Sequence, residues 1–205
     1  MTLAFLASFI AFSVVLSICI KRQTKQAREK EQNFWAREAR ANSVRRKSLD
    51  GLDYIKIPLQ TFPTHILQND STVQECISTL EALTSQKIVN LTGYTNTDLK
   101  LEYGTANITL LSEYDQNYTV LVRTLQKWAD ILLETGYVEE ATVLMEFAVS
   151  TGTDISRTYY ELAGYWASQG EASQVERLIT MAGNLRSYNK EAIVKNLCEK
   201  YLTVR

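Results

Sequence analysis

The sequence predicts an all-α protein: a single N-terminal transmembrane helix, then antiparallel helix hairpins stacked as a solenoid, with a short extended segment between these parts. Three observations support this prediction. Residues 3–20 form an uncharged apolar run. After residue 70, apolar residues recur at helical spacing. Small residues recur there at an offset of 34 residues. The chain of 205 residues is long enough for one domain beside an anchor.

The run at residues 3–20 reads LAFLASFIAFSVVLSICI, and about 20 apolar residues suffice for a helix to span a bilayer. A cluster of basic residues follows it directly: Lys21, Arg22, Lys25, Arg28 and Lys30. Because basic flanks stay in the cytoplasm, we expect a single-pass protein of the cell membrane with its N-terminus outside and its C-terminal domain cytoplasmic. A cleaved signal peptide or a lipid-modified Cys19 is the alternative, but no basic residue precedes the run.

Residues 21–48 lack Gly and Pro and are predicted to continue the helix out of the membrane. Residues 21–50 carry ten Lys and Arg against four Asp and Glu, a surplus of six. Cations beside a bilayer bind anionic headgroups, so Lys21, Arg22, Lys25 and Arg28 are predicted to contact the membrane surface. The lipid bilayer is therefore an expected partner, and nucleic acid is not.

The stretch 49–69 is predicted to be an extended linker that lies across the helical domain. Ile55, Ile57 and Leu59 alternate with polar residues or proline, which is typical of an extended segment with one buried face.

Residues 70–205 are predicted to form an α-helical domain. Ser71 is expected to cap its first helix, and Gly104 is expected to end a short helix over residues 97–103. The C-terminal stretch 189–202 is amphipathic and suits a helix that caps the solenoid.

A repeat of 34 residues is visible from residue 122 onward, because Gly170 follows Gly136 at that offset. The small residues predicted to pack at this spacing are Ala129, Gly136, Ala141, Ala148, Ala163, Gly170 and Ala182. A helix–turn–helix period of 34 is the tetratricopeptide signature, so residues 122–155 and 156–189 resemble two tetratricopeptide (TPR) repeats. Val175 departs from the family pattern, since a small residue is expected there.

The resemblance implies a concave groove that binds a protein or peptide. The residues carried over to that groove are Arg123, Gln126, Asp130, Arg157 and Tyr160. Arg123 and Arg157 occupy the same position of the two repeats, so they are the cations expected to meet a ligand if the groove binds an acidic or carboxylate-bearing peptide. The residues do not reproduce the Lys and Asn arrangement with which some family members bind a terminal carboxylate, which implies a different peptide or none. The alternative, that both are solvated arginines on an outer face, stays open. The whole layout is also similar to small single-pass proteins of Gram-positive bacteria.

Motifs for catalysis, metal or cofactor binding are not found in the sequence. His65 is its single histidine, and its three cysteines are scattered. We therefore expect a non-enzymatic protein without a cofactor. One pattern favours an extracytoplasmic location instead: four N-x-[ST] glycosylation sequons begin at Asn69, Asn90, Asn107 and Asn117.

The leading hypothesis is a membrane-anchored protein–protein interaction module that presents its helical repeats to the cytoplasm. One alternative is a structural or accessory subunit of a membrane assembly, without a separate groove ligand. Another is an extracytoplasmic adaptor, which requires the reversed topology.

Overall fold

The computed structural model describes residues 2–201; in the first helix, the side chains of residues 2–8, 10, 11 and 14 lie outside the described part. Within this part the predicted all-α class is confirmed, since no strand occurs there. The helices are α1 Thr2–Asn42, α2 Ser71–Leu83, α3 Asn96–Tyr103, α4 Ile108–Glu134, α5 Val138–Ser150, α6 Ser156–Ser168, α7 Ala172–Gly183 and α8 Lys190–Tyr201.

The chain folds into two compact units. The first comprises the residues up to Lys47 together with Thr95–Ile108, and the second comprises Ser48–Tyr94 and the residues from Thr109 onward. This division differs from the predicted one, which assigned α3 to the helical domain at 70–205.

Helix α1 runs without interruption from Thr2 to Asn42, about 60 Å at 1.5 Å per residue. Half of the side chains in the predicted transmembrane run, residues 3–20, lie outside the described part. A search confined to the described residues finds no helix that is both long and apolar enough to cross a membrane.

The predicted juxtamembrane helix ends six residues earlier than expected, at Asn42 instead of residue 48. The reason is a competing set of hydrogen bonds within the first unit. Thr105 N donates to Val44 O over 3.4 Å, and Lys47 N donates to Tyr103 O over 3.0 Å. These backbone groups are thereby satisfied without further helical turns.

Charged side chains hold α3 against the C-terminal end of α1 in the first unit. Arg37 Nη2 lies 2.5 Å from Asp98 Oδ1, and Lys100 Nζ lies 3.3 Å from Glu38 Oε2. Thr97 also donates a hydrogen bond to Glu38. These contacts explain why α3 belongs to the first unit, because its ion-pair partners are on α1.

Gly104 ends α3, as predicted from the sequence. Its φ is +87°, and a Cβ atom at this position would lie 2.3 Å from the carbonyl oxygen of Arg45. The chain therefore needs glycine here both for the backbone conformation and for the close approach.

The stretch 49–69, predicted to be extended, is only partly so, because Leu59–Thr61 form a 3-10 helix and residues 64–69 form turns. Ile55, Ile57 and Leu59 pack against the core of the second unit, while Lys56 and Gln60 are exposed. The segment forms no strand, and one backbone bond, from Ile55 N to Ile88 O, ties its middle.

The N-cap of α2 lies one residue before the predicted one. Asp70, not Ser71, is the N-cap, and its carboxylate accepts hydrogen bonds from the backbone N–H groups of Thr72 and Val73. The prediction was wrong because aspartate and serine both cap well, and the chain enters the helix after Asp70.

The core of the second unit is centred on large buried side chains. Trp128 and Tyr159 are fully buried, and Phe62 packs edge-on against Trp128 and Phe147 with ring centroids 6.2 and 5.4 Å apart. Burial of these aromatic groups is a main source of stability for this unit.

Helices α5 to α8 pack in sequence order within the second unit, and α6 also packs against α8. The two 34-residue segments have matching turns: φ is +88° at Gly136 and +77° at Gly170. The following residues, Tyr137 and Glu171, have nearly identical φ, ψ pairs of −86°, 63° and −86°, 66°.

Side chains at the 34-residue offset are buried in both segments. These equivalent pairs are Ala129 and Ala163, Ala141 and Val175, Leu144 and Leu178, and Ala148 and Ala182.

Candidate partner-binding groove

A shallow groove of about 660 Å³ runs along one face of α4 in the second unit. We call it the α4 groove. Its lining comprises Asp70, Thr72, Arg123, Gln126, Lys127, Asp130, Ile131, Glu134, Thr135 and Ile155. Positions 123 to 134 share the groove because residues three and four apart lie on one face of a helix.

Three of the five predicted partner-binding residues, Arg123, Gln126 and Asp130, line this groove. Arg123 is exposed and makes no ion pair with any residue that the structure describes. Its guanidinium is therefore available for an external anion.

The environment of Arg157 does not match the expectation of two equivalent free cations. Its Nε lies 3.1 Å from Asp130 Oδ1 and 3.7 Å from Glu161 Oε1. Its charge is therefore already compensated within the chain, and Arg157 is not among the residues that line the groove.

Tyr160 is also outside the groove lining. It is half-buried and packs against the core of the second unit, so its ring has a packing role there.

Polar contacts fix the middle of the groove. Gln126 Nε2 donates to Asp130 Oδ1 over 2.7 Å, and Thr158 Oγ1 donates to Gln126 Oε1 over 2.5 Å. The side chains of Gln126 and Asp130 are thus held in place before any partner binds, which lowers the entropic cost of binding.

Lys127 is the second cation on this face, and sequence reasoning missed it. Its Nζ lies 2.7 Å from Glu75 Oε2 on α2. The hydrogen bond from Lys127 holds the pKa of Glu75 below its ordinary value, and the same bond raises the pKa of Lys127. The residue that neutralises Lys127 is 52 positions away in the chain, so local sequence does not reveal it.

Glu134 was missed as well, although a signal for it exists. It lies eleven residues after Arg123, which is close to three helical turns, so both residues project from the same face of α4. Extending the pattern from Arg123 along the helix would have found it.

The predicted membrane-surface cations lie on exposed parts of α1. Lys21, Arg22, Lys25 and Arg28 are all exposed, and Lys25 Nζ is 3.9 Å from Glu29 Oε1. The large apolar side chains described just before them are exposed too: Phe9, Phe12, Val15, Leu16, Ile18 and Ile20.

Three of the four sequons have their asparagine amide engaged in internal hydrogen bonds. Asn90 Nδ2 donates to Tyr118 Oη and to the carbonyl oxygens of residues 151 and 152. Asn107 is fully buried and donates to the carbonyl oxygens of residues 47 and 103. Asn117 donates to the carbonyl oxygen of residue 87, whereas Asn69 is exposed.

Comparison with known proteins gives no relatives: no family model, no curated protein and no solved structure matches this chain.

Proposed function

We propose that this chain is a single-pass, membrane-anchored protein-interaction module. In this proposal α1 is the anchor, the C-terminal domain is cytoplasmic and TPR-like, and the α4 groove binds a segment of a partner protein. The role is binding, without catalysis or a cofactor.

The anchor is supported by the exposure of apolar side chains on α1. Phe9 and Phe12 are 69% and 64% exposed on a helical segment whose sequence contains no charge. An apolar surface of this kind is unfavourable in water, and lipid would cover it. A continuous helix also satisfies its own backbone groups, as the bilayer interior requires.

The orientation is supported by the cations that follow this segment. Lys21, Arg22, Lys25 and Arg28 are exposed on α1, where they can meet anionic headgroups at the inner surface. The reversed topology has less support, because the amides of Asn90, Asn107 and Asn117 are already used inside the fold.

The observation that carries the binding part is the α4 groove itself. It combines an unpaired cation, Arg123, with fixed polar groups and the half-buried side chains of Ile131 and Ile155. Concave sites with an apolar floor and a few positioned polar groups are typical ligand sites. The matching turns and buried pairs of the two 34-residue segments support the TPR-like assignment.

A photo-crosslinking amino acid placed in the full chain tests this function in native membranes. We expect discrete adducts when it replaces Thr72 or Thr135 at the groove, and none when it replaces Ala192, an exposed residue of α8 outside the groove. Equal adducts at all three positions would instead favour a structural subunit embedded in a larger assembly. The absence of adducts at both groove positions would contradict the proposed site.

A further inference from the structure

The two ends of the α4 groove carry opposite charges that the described part of the chain leaves unpaired. Arg123 is at one end and Glu134 is at the other, and both are exposed. Eleven residues separate them on α4, which corresponds to about 16 Å along the helix axis.

The charges between these ends are compensated within the second unit. Lys127 pairs with Glu75, and Asp130 pairs with Arg157. Asp70, the remaining charged residue of the lining, caps α2 and accepts hydrogen bonds from Thr72 N and Val73 N. Every charged side chain of the lining other than Arg123 and Glu134 therefore has a partner within the second unit, and the lining also includes the half-buried side chains of Ile131 and Ile155.

The position of Glu134 would favour a cation bound beside it. It is the last residue of α4, where the helix dipole presents its negative end. A carboxylate there lowers helix stability unless a cation compensates it, and no described residue forms an ion pair with Glu134.

We infer that the α4 groove accepts a partner segment with one acidic and one basic side chain about 16 Å apart and uncharged residues between them. The acidic group binds Arg123 and the basic group binds Glu134. This inference rests on the proposed function, because it names the chemistry of the segment that the same groove binds.

The spacing translates into a short peptide. An extended chain rises about 3.3 Å per residue, so the two charged residues are separated by four to six positions. The sequence suggested that Arg123 and Arg157 together could bind a wholly acidic segment. Such a segment fits the groove poorly, because Arg157 is already compensated and Glu134 would repel an acidic side chain.

The test uses the purified full chain in detergent micelles and synthetic nine-residue peptides with blocked ends. Each peptide carries one Asp and one Lys, separated by four, five or six positions, and the residues between them are Val and Thr. Matched peptides replace Asp with Asn, Lys with Gln, or both, and fluorescence anisotropy gives Kd.

For the best spacing, we expect about tenfold weaker binding when Asp is replaced by Asn, as for loss of one charge-assisted hydrogen bond. In Arg123→Gln that difference between the two peptides should vanish. In Glu134→Gln, replacement of the peptide Lys should likewise have no effect. Lys56→Gln and Glu191→Gln, which change exposed charges outside the groove, should bind like the unchanged protein.

Other outcomes distinguish a failure of the inferred charge pattern from a failure of the proposed peptide binding. Binding that is equal for charged and neutral peptides, and unchanged in both groove variants, would overturn the inference while peptide binding stands. Binding of no peptide of any charge would contradict both. A dimer in sedimentation that dissociates in Arg123→Gln would show a second copy in the groove, and would also overturn the inference.

Discussion

Arg123 and Arg157 of the second unit, which are 34 positions apart, differ in their partners. The residue four positions after Arg157 is Glu161, with which it pairs, whereas the residue four positions after Arg123 is Lys127. Because i,i+4 neighbours meet on a helix, Glu161 adds to the compensation that Asp130 gives Arg157, whereas Lys127 offers Arg123 no ion pair.

The surroundings of Asp115 change the pKa of its carboxyl group. Burial raises its pKa, and the bond that it accepts from Leu91 N over 3.1 Å opposes that rise only in part. A raised folded-state pKa means that Asp115 favours folding when protonated, and that this contribution is lost as the pH rises through that pKa.

We therefore expect Asp115→Asn to raise Tm at pH 7 and to leave it unchanged at pH 3, where the carboxyl is protonated in both states. Asparagine retains an acceptor for Leu91 N. Thermal unfolding followed by circular dichroism at both pH values measures the effect. Asp53→Asn, an exposed control, should show no such dependence. A lower Tm at pH 7 would contradict the burial argument.

Two buried alanines, Ala129 and Ala163, test the helix packing that the 34-residue period predicts. Ala129 and Ala163 are fully buried, so Ala129→Trp or Ala163→Trp should lower the free energy of unfolding by about 1–3 kcal/mol or more through overpacking. Ala167→Trp, at an exposed position of α6, is the control and should change it little. Urea unfolding of the full chain measures these differences, and unchanged midpoints for both buried variants would refute the packing.

At the level of elements, hydrogen bonds and ion pairs with α3 hold the C-terminal end of α1. The pKa values of Glu38 and Asp98 are held below their ordinary values, chiefly by hydrogen bonds from Thr97 and Thr95 respectively. Their contribution is present at neutral pH and is lost as the pH falls through these lowered values. The contact between α1 and α3 is therefore strongest when both carboxylates are ionised.

Gly104 is the position where a small change should loosen this contact. In Gly104→Ala, an alanine must adopt a backbone conformation with positive φ, and its Cβ meets Arg45 O. We therefore expect the free energy of unfolding to fall by about 1–3 kcal/mol. Hydrogen exchange of residues 96–107 should become faster. Gly183→Ala, where φ is not positive and no atom is within 4 Å of the added Cβ, should be neutral or stabilising. Equal exchange in both variants would argue against the close approach.

Local patterns predicted several elements well. Gly136 and Gly170 lie at turns, Ile55 and Ile57 face the core while Lys56 between them is exposed, and Gly104 ends its helix as expected. Such features depend on neighbours within a few residues, which a single sequence displays.

Other features depend on pairs far apart in the chain. Glu38 and Lys100 are 62 positions apart, and Glu75 and Lys127 are 52 apart. No local pattern could predict that α3 packs against α1 in the first unit, or that Glu75 neutralises the charge of Lys127. The predicted residues Arg123, Gln126 and Asp130 lie in one groove because they share a helix face, whereas Arg157 and Tyr160 required knowledge of the fold.

For the whole molecule, the asymmetry of charge along the chain is the main basis of the account. An uncharged segment at residues 3–20 is followed by a basic surplus of six over residues 21–50. A chain with this arrangement is expected to anchor through its first helix and to keep its basic flank and its domain in the cytoplasm.

Labelling with a membrane-impermeant maleimide tests the proposed membrane topology. In a background where Cys19, Cys76 and Cys198 are replaced by alanine, the full chain carries either Thr2→Cys or Tyr188→Cys; Tyr188 is fully exposed, so a thiol there is accessible. We expect that the Thr2→Cys protein is labelled in intact cells, and that the Tyr188→Cys protein is labelled only after permeabilisation. Labelling of the Tyr188→Cys protein in intact cells, or protection of both proteins until permeabilisation, would contradict this topology.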